Sequence, residues 1–335
     1  MEQSLYDKLH QRYPIPRLLK YIADNDVRDI HTENFVSIYD EIRSRNPYYA
    51  KTLAKLLIDN IHLLDEECSD PSKIRIHPWA RDDGVIYFSE WLYEQYIDFL
   101  NVGMPTPTSK DVIRYNFKHK ERSISVDIEE TPYLICASGT TGFRTWEAAL
   151  YLSQHLCKNS DEIMDELGKD QITVAELGAG TGIVSMTWAK LQHNRLKKLY
   201  VTDGDSSLVE NQMHRNAQLN NVGGPKYCFQ KLWWNSDDVP DNDLILAADV
   251  TYDSSVIPDL VLCIKSSLQA KTKFSLIAAT VRNVDTIKVF EEKCRSEGLQ
   301  WTVVRNTETE DSSKFTEECT FKDLIAPIRI YRVSL

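Results

Sequence analysis

The stretch Val174-Ala-Glu-Leu-Gly-Ala-Gly-Thr-Gly-Ile-Val184 decides the fold of this chain. The apolar run Ile172–Leu177 reads as a strand covered on both faces, and Gly178-Ala179-Gly180-Thr181-Gly182 as the turn that leaves it. Ile183, Val184, Trp188 and Leu191 then recur at helical spacing. Strand, glycine turn and helix together open a nucleotide-binding unit, because glycines let backbone approach a ligand where any Cβ would clash. The spacing is not that of a dinucleotide fingerprint: the third glycine of G-x-G-x-x-G would fall at Ile183. The turn closes one residue early, carries Glu176 two residues before its first glycine, and has no Gly-Lys-Ser/Thr after it. It suits a nucleoside without a pyrophosphate; the plainer alternative is a tight βα turn.

Downstream, strands and helices alternate, which predicts a mostly parallel sheet. Lys198–Thr202 reads as the next strand and ends at Asp203-Gly-Asp205. An acidic residue there can accept hydrogen bonds from both ribose hydroxyls. Asp203 is assigned that place and Asp205 the turn; the alternative is helix capping, since Ser207 and Glu210 have capping-box spacing. Leu208, Met213 and Ala217 face inward on the helix that follows. Tyr227–Phe229 is a short strand, and Leu232-Trp-Trp-Asn235 stands where a base would lie beside the sheet, with one indole free to stack on it. Asp243–Ala248 is a further strand, so Asp249 and Tyr252 lie beyond its carboxyl end, over the same mouth as Gly178–Gly182. Phe274–Ala279 is another strand and Asp285–Ser296 a helix, with Trp301–Arg305 and Ile328–Val333 closing the sheet as an antiparallel pair. The acidic loop Thr307–Cys319 is a solvated loop or a rim that attracts a basic partner.

Upstream, Ser138-Gly-Thr-Thr-Gly142 leads into a helix carrying Trp146, Ala149, Leu150 and Leu156, and its entry can hold a polar ligand end. Ile124, Val126 and Ile128 alternate with polar residues as a half-exposed strand, with Tyr133–Cys136 expected as its hairpin partner. Residues 1–122 read as a helical extension and 123–335 as the α/β domain. Helices are expected around Phe35–Ile42 and Leu53–Leu64, separated at Asn46-Pro47, and over Ile86–Leu100; Pro71–Gly84 is expected as loop and Ser109–Phe117 as helix. The aromatic run within Ile86–Leu100 is simple packing or a protein-docking face.

The chain has 335 residues, 42% hydrophobic, enough for a sizeable core. No apolar run reaches the ~20 residues that span a bilayer, and no basic-then-apolar leader opens the chain, so a cytoplasmic protein off the membrane is expected. Seven scattered cysteines without C-x-x-C support neither a zinc site nor a disulfide framework. A net charge of −11 argues against nucleic-acid binding and is compatible with a basic protein substrate.

Taken in order, Trp146-Glu-Ala-Ala149, Glu176-Leu-Gly-Ala-Gly-Thr-Gly182, Asp203, Leu232-x-Trp234 and Asp249-x-x-Tyr252 resemble the family 16 protein-lysine methyltransferases over about residues 123–335. Within that family, Ser138–Ser153 and the helical extension are most similar to the elongation factor 2 lysine methyltransferases. The resemblance implies a seven-stranded Rossmann-like sheet, mostly parallel with an antiparallel last strand. It implies S-adenosylmethionine as cofactor, surrounded by Trp146, Glu176, Gly178, Ala179, Gly180, Asp203, Trp234 and Ala248, and no metal. It implies that Asp249 and Tyr252 line a lysine channel, that elongation factor 2 is the protein substrate of a monomeric enzyme, and that the extension docks it. Trp233-Trp234-Asn235 stands where many members have Asp-Trp-Gly, which leaves open which indole meets adenine.

Methyl transfer from a sulfonium needs an aligned, neutral amine. Neutralising a free lysine, of pKa ~10.4, costs roughly 4–5 kcal/mol at pH 7. An aromatic channel helps by desolvation, whereas Asp249 would favour the charged form, so Asp249 is read as orienting lysine or cofactor. Two alternatives remain: a methyltransferase of the same fold acting on another protein, RNA or a small molecule, and an idle docking module.

Overall fold

The computed structural model describes residues 2–134, 141–234, 236–310, 324 and 326–335. The expectations placed on Cys136, Ser138–Thr140, Asn235 and most of the loop Thr307–Cys319 lie outside these. The chain divides into two compact units, Met1–Arg114 and Tyr115–Leu335.

The first unit is built on α1 (Glu2–His10), α2 (Ile15–Asp24), α3 (Thr32–Arg45), α4 (Pro47–Asp59) and α5 (Phe88–Asp98). Pro16 sits in the first turn of α2, where its missing N–H is harmless. Asn46 ends α3 and caps α4, its side chain accepting a hydrogen bond from Tyr49 N at 2.8 Å. The α5 aromatics divide by face: Phe88 and Trp91 enter the core against Phe35 and Tyr39, while Tyr93 and Ile97 stay exposed. Short strands β1 (Asp29–His31), β2 (Leu64–Asp65) and β3 (Ile74–His77) form a parallel sheet, and β4 (Trp79–Arg81) and β5 (Gly84–Ile86) a hairpin. The expected loop Pro71–Gly84 therefore carries strands, because Ile74 and Ile76 pack toward the helices.

Ser109–Phe117, expected as a helix, instead runs from Asp111 onward into strand β6 (Asp111–His119), paired with β7 (Arg122–Glu130). Ile113, Tyr115 and Phe117 are buried in alternation, a period of two that fits a strand and not a helix. Tyr133 and Leu134, expected to begin the partner of β7, lie in a turn.

The second unit holds a seven-stranded sheet in the order β10-β9-β8-β11-β12-β14-β13. Its strands are β8 (Ile172–Leu177), β9 (Leu196–Asp203), β10 (Tyr227–Lys231), β11 (Leu244–Ala248), β12 (Phe274–Thr280), β13 (Gln300–Asn306) and β14 (Ile328–Ser334). The first five named pair in parallel, and β14 is antiparallel to both β12 and β13. All of β8 is buried, as a central strand covered on both faces must be. Ile245, Ala247, Ile277 and Ala279 share one face with α9 (Ile257–Ala270) and α10 (Val284–Ser296). Helix α6 (Glu147–Leu167) packs on β11, β12 and β14, and α7 (Ile183–Leu191) packs on α6. A π-helical turn Leu208–Met213 leads into α8 (His214–Leu219). From there Asn216 and Asn220 act as a side-chain ladder on β7. Their Oδ1 atoms accept from Glu129 N at 2.8 Å and Asp127 N at 3.0 Å, and Asn220 Nδ2 donates to Asp127 O at 2.6 Å.

Within the first unit, Arg12 is 8% exposed and pairs with Asp111 through Nε–Oδ2 and Nη2–Oδ1 bonds of 2.9 Å each, while Asn46 Nδ2 donates to Asp111 Oδ2 at 2.6 Å. Asp111→Ala leaves a buried guanidinium without its counterion, which costs about 3–5 kcal/mol. Chemical denaturation of the variant should show that loss; a loss below about 1 kcal/mol would mean that water screens the pair.

Candidate functional site

Glycines shape the mouth of the cleft. Gly178, Gly180 and Gly182 take φ of +64°, +53° and +78°, a left-handed backbone at every second residue. Space forbids side chains as well: a Cβ on Gly178 would lie 2.7 Å from Val250 Cγ1 and 3.4 Å from Trp234 Cζ2, and one on Gly180 3.3 Å from Gly142 Cα. The turn is held from three sides. Gly180 N donates to Asp203 Oδ2 at 2.9 Å, Asn216 Nδ2 donates to Thr181 O at 2.8 Å, and the hydroxyls of Thr145 and Thr181 lie 3.0 Å apart.

A cleft of about 600 Å³ opens beyond the carboxyl ends of β8, β9 and β11. Trp146, Gly178, Ala179, Gly180, Asp203, Trp234, Ala248, Asp249 and Tyr252 all line it. Of the residues named from the sequence, Glu176 does not. It is 2% exposed, and Oε2 accepts from Ser185 N at 2.9 Å, satisfying one of the free N–H groups at the start of α7. Glu176 thus braces the start of the helix that follows the glycine turn.

Burial is also the largest influence on Asp203, raising its carboxyl pKa against the N–H bonds from Asp205 and Gly180 that lower it. Asp205, assigned to the turn, caps the helix start in place of the alternative box at Ser207 and Glu210: its Oδ1 accepts from Ser207 N at 2.7 Å. The two indoles differ. Trp234 is half-buried and packs against the core, whereas Trp233 is 53% exposed and lies over Gly204.

Two cations in the site escaped sequence reasoning. Arg282, just past β12, makes a bidentate pair with Asp249: Nη1–Oδ1 3.0 Å and Nη2–Oδ2 2.7 Å. Its guanidinium lies 5.0 Å from the Trp146 ring centroid, and that of Arg144 lies 4.2 Å from it. Asp249 itself has φ +57°, a strained left-handed conformation that short polar side chains tolerate best. The only local signal was an arginine near a strand end; its partner is 33 positions away in sequence. Segment 143–146, which presents Trp146 and Arg144, is anchored by Glu130 Oε2 on Thr145 N at 2.6 Å and by Thr131 N on Phe143 O at 2.8 Å.

The glycine cradle, an acid ending β9, aromatic walls and a cleft of small-ligand size fit an adenosine-bearing cofactor. Fold and cleft together define an S-adenosylmethionine-dependent methyltransferase. A family model described as lysine methyltransferase matches residues 135–296. The protein-lysine N-methyltransferase EFM3 of Saccharomyces cerevisiae is 41% identical over 346 residues, covering 99% of this chain and 99% of that protein. The protein-lysine N-methyltransferase EEF2KMT of Homo sapiens is 28% identical over 198 residues, covering 53% of this chain and 57% of that protein. A solved structure, a SAM dependent methyltransferase from Aquifex aeolicus, shares 14% identity, covering 57% of this chain and 100% of that one at a TM-score of 0.38. The chain belongs to the lysine methyltransferase family and is a protein-lysine N-methyltransferase.

Burial raises the Glu176 carboxyl from 4.5 to about 8, against the opposing bonds from Ser185. The folded state therefore holds a proton that the unfolded state releases near pH 4.5, and stability is lost as pH rises from there through about 8. Glu176→Gln removes that loss. Its melting temperature relative to the native chain should climb by several degrees between pH 5 and pH 8.5; a difference independent of pH would show that Glu176 is ionised in the fold.

Proposed function

We propose that this enzyme methylates a lysine of translation elongation factor 2 in the cytoplasm. The observation that carries the reading is the position of Asp249 and Tyr252 on the cleft that also holds the glycine turn and Asp203. Tyr252 is 55% exposed at the rim, and Asp253 and Asp259 line the cleft beside it, an acidic approach for a basic side chain. The choice of substrate is supported by the sequence resemblance over Ser138–Ser153 and by similarity along the whole chain to EFM3 and over half of it to EEF2KMT. No helix among the described residues is long and apolar enough to cross a membrane.

When bound, S-adenosylmethionine supplies an electrophilic methyl group on a sulfonium. Asp203 would hold the ribose hydroxyls, Trp233 or Trp234 would wall the base, and the backbone of Gly178–Gly180 with Trp146 and Ala248 would close around the remainder. Asp249 and Tyr252 orient the acceptor amine. The unit Met1–Arg114 docks the folded substrate, for which the exposed Tyr93 and Ile97 of α5 offer an apolar contact. A docking interface of ordinary size buries ~800 Å² per partner, more than a cleft rim provides.

The test is a labelling assay: enzyme, radiolabelled cofactor and extract from cells lacking the enzyme, with the labelled band identified. One band at elongation factor 2 is expected. Asp249→Ala should lose most of that signal while binding cofactor within about tenfold, or ~1.4 kcal/mol, of the native protein. A different labelled protein would overturn the choice of substrate, and full activity in the variant would remove Asp249 from the site.

A further inference from the structure

A carboxylate beside an incoming lysine poses a physical problem. The acceptor nitrogen can attack only with its lone pair free, so the ammonium must first give one proton to solvent. The N–C bond then forms as the C–S bond breaks, its electron pair staying on sulfur, and the nitrogen leaves as a methylammonium. A free carboxylate within 4–6 Å stabilises the ammonium and opposes that first step.

Asp249 is not free. Its side chain is 7% exposed, its backbone is fixed by Asp249 N donating to Ala278 O at 2.8 Å, and both its oxygens are engaged by Arg282. Burial works against the charge on Arg282, but the hydrogen bonds to Asp249 outweigh it and raise the guanidinium pKa further. A guanidinium keeps its proton at any physiological pH, so Arg282 cannot serve as a base. Around the pair, Arg144 is matched by Glu147 at 3.2 Å. Asp253, which accepts from Ser255 N at 2.8 Å, and Asp259, in the first turn of α9, leave the cleft mouth net negative, and Tyr252 adds only a phenol.

We infer that Arg282 is a positioning residue for methyl transfer: by clamping Asp249 in a bidentate pair it denies the ammonium that carboxylate as a free counterion, so that loss of the proton beside Asp249 is not opposed. Trp146 holds the clamp in place, since the Arg282 guanidinium rests over its ring. The aimed carboxylate orients the amine without trapping its charged form. This rests on the reading of Asp249 and Tyr252 as the lysine site.

The experiment measures kcat against pH from 6.5 to 9.5 for the native enzyme, Arg282→Gln, Arg282→Lys, Asp249→Asn and the Asp249→Asn/Arg282→Gln double variant, with elongation factor 2 as acceptor. Calorimetry of cofactor binding and of acceptor binding without cofactor runs alongside. In Arg282→Gln the acid limb should move up by about one pH unit, lowering kcat about tenfold at pH 7 and recovering near pH 9. Cofactor affinity should stay within about threefold, and acceptor binding at pH 7 should stay equal or tighten. Arg282→Lys, which keeps charge but loses the fork, should fall between. In the Asp249→Asn background, removing Arg282 should shift the limb no further. A loss in Arg282→Gln that is equal at every pH would overturn the inference in favour of a structural role. So would a shift that persists without the Asp249 carboxylate. An Asp249→Asn enzyme with native kcat would instead sink the lysine-site reading, and the inference with it.

Discussion

The absence of a Cβ at Gly178 is the constraint on which the site depends. The chain leaving β8 passes so close to Val250 that an added methyl would sit 2.7 Å from Cγ1. That contact brings the ends of β8 and β11 together and seats Trp234 beneath the turn. Two residues on, Gly180 turns its N–H to Asp203 and so ties in the end of β9. One glycine turn thereby gathers three strand ends, and the residues that do chemistry are carried on them. The open side of a parallel sheet always lies there, and this sheet builds its cleft in that place.

Carboxylates at the site do different work because their surroundings differ. Glu176, sealed in the core, braces a helix start and holds its proton to about pH 8. Asp203 is also buried but is met by backbone N–H groups and still lines the cleft. Asp249 stands in a strained backbone and is neutralised by Arg282. Cation, acid and indole form one assembly, in which Trp146 supports the clamp and the segment after β7 supports Trp146.

The centre of the parallel sheet was legible because β8 and β11 are apolar on both faces and run into Gly178 and Asp249. Asp249 and Tyr252 could be placed over the mouth for the same reason. Strand β6 was misread although Ile113, Tyr115 and Phe117 carried its period of two; the short run between prolines and charges resembled an amphipathic helix. The burial of Glu176 beneath the turn, with Ser185 N as its partner, was not legible, because position along a strand does not say which side of the turn a side chain supports. Arg282 and Asn216 were out of reach, since their partners are far away in sequence and their roles exist only once the sheet has closed. Asn216 bonds a strand edge and the glycine turn at once, and nothing in the composition of α8 marks that.

The central claim is that the glycine turn is the cofactor cradle and not merely a tight connection between strand and helix. Titration calorimetry with S-adenosylhomocysteine on the native chain and on Gly180→Arg tests it most directly. The account predicts micromolar binding to the native protein. It predicts no detectable heat for the variant, whose far-ultraviolet circular dichroism should stay native, because the new side chain fills the ligand's volume. A folded variant that binds with native affinity would contradict it.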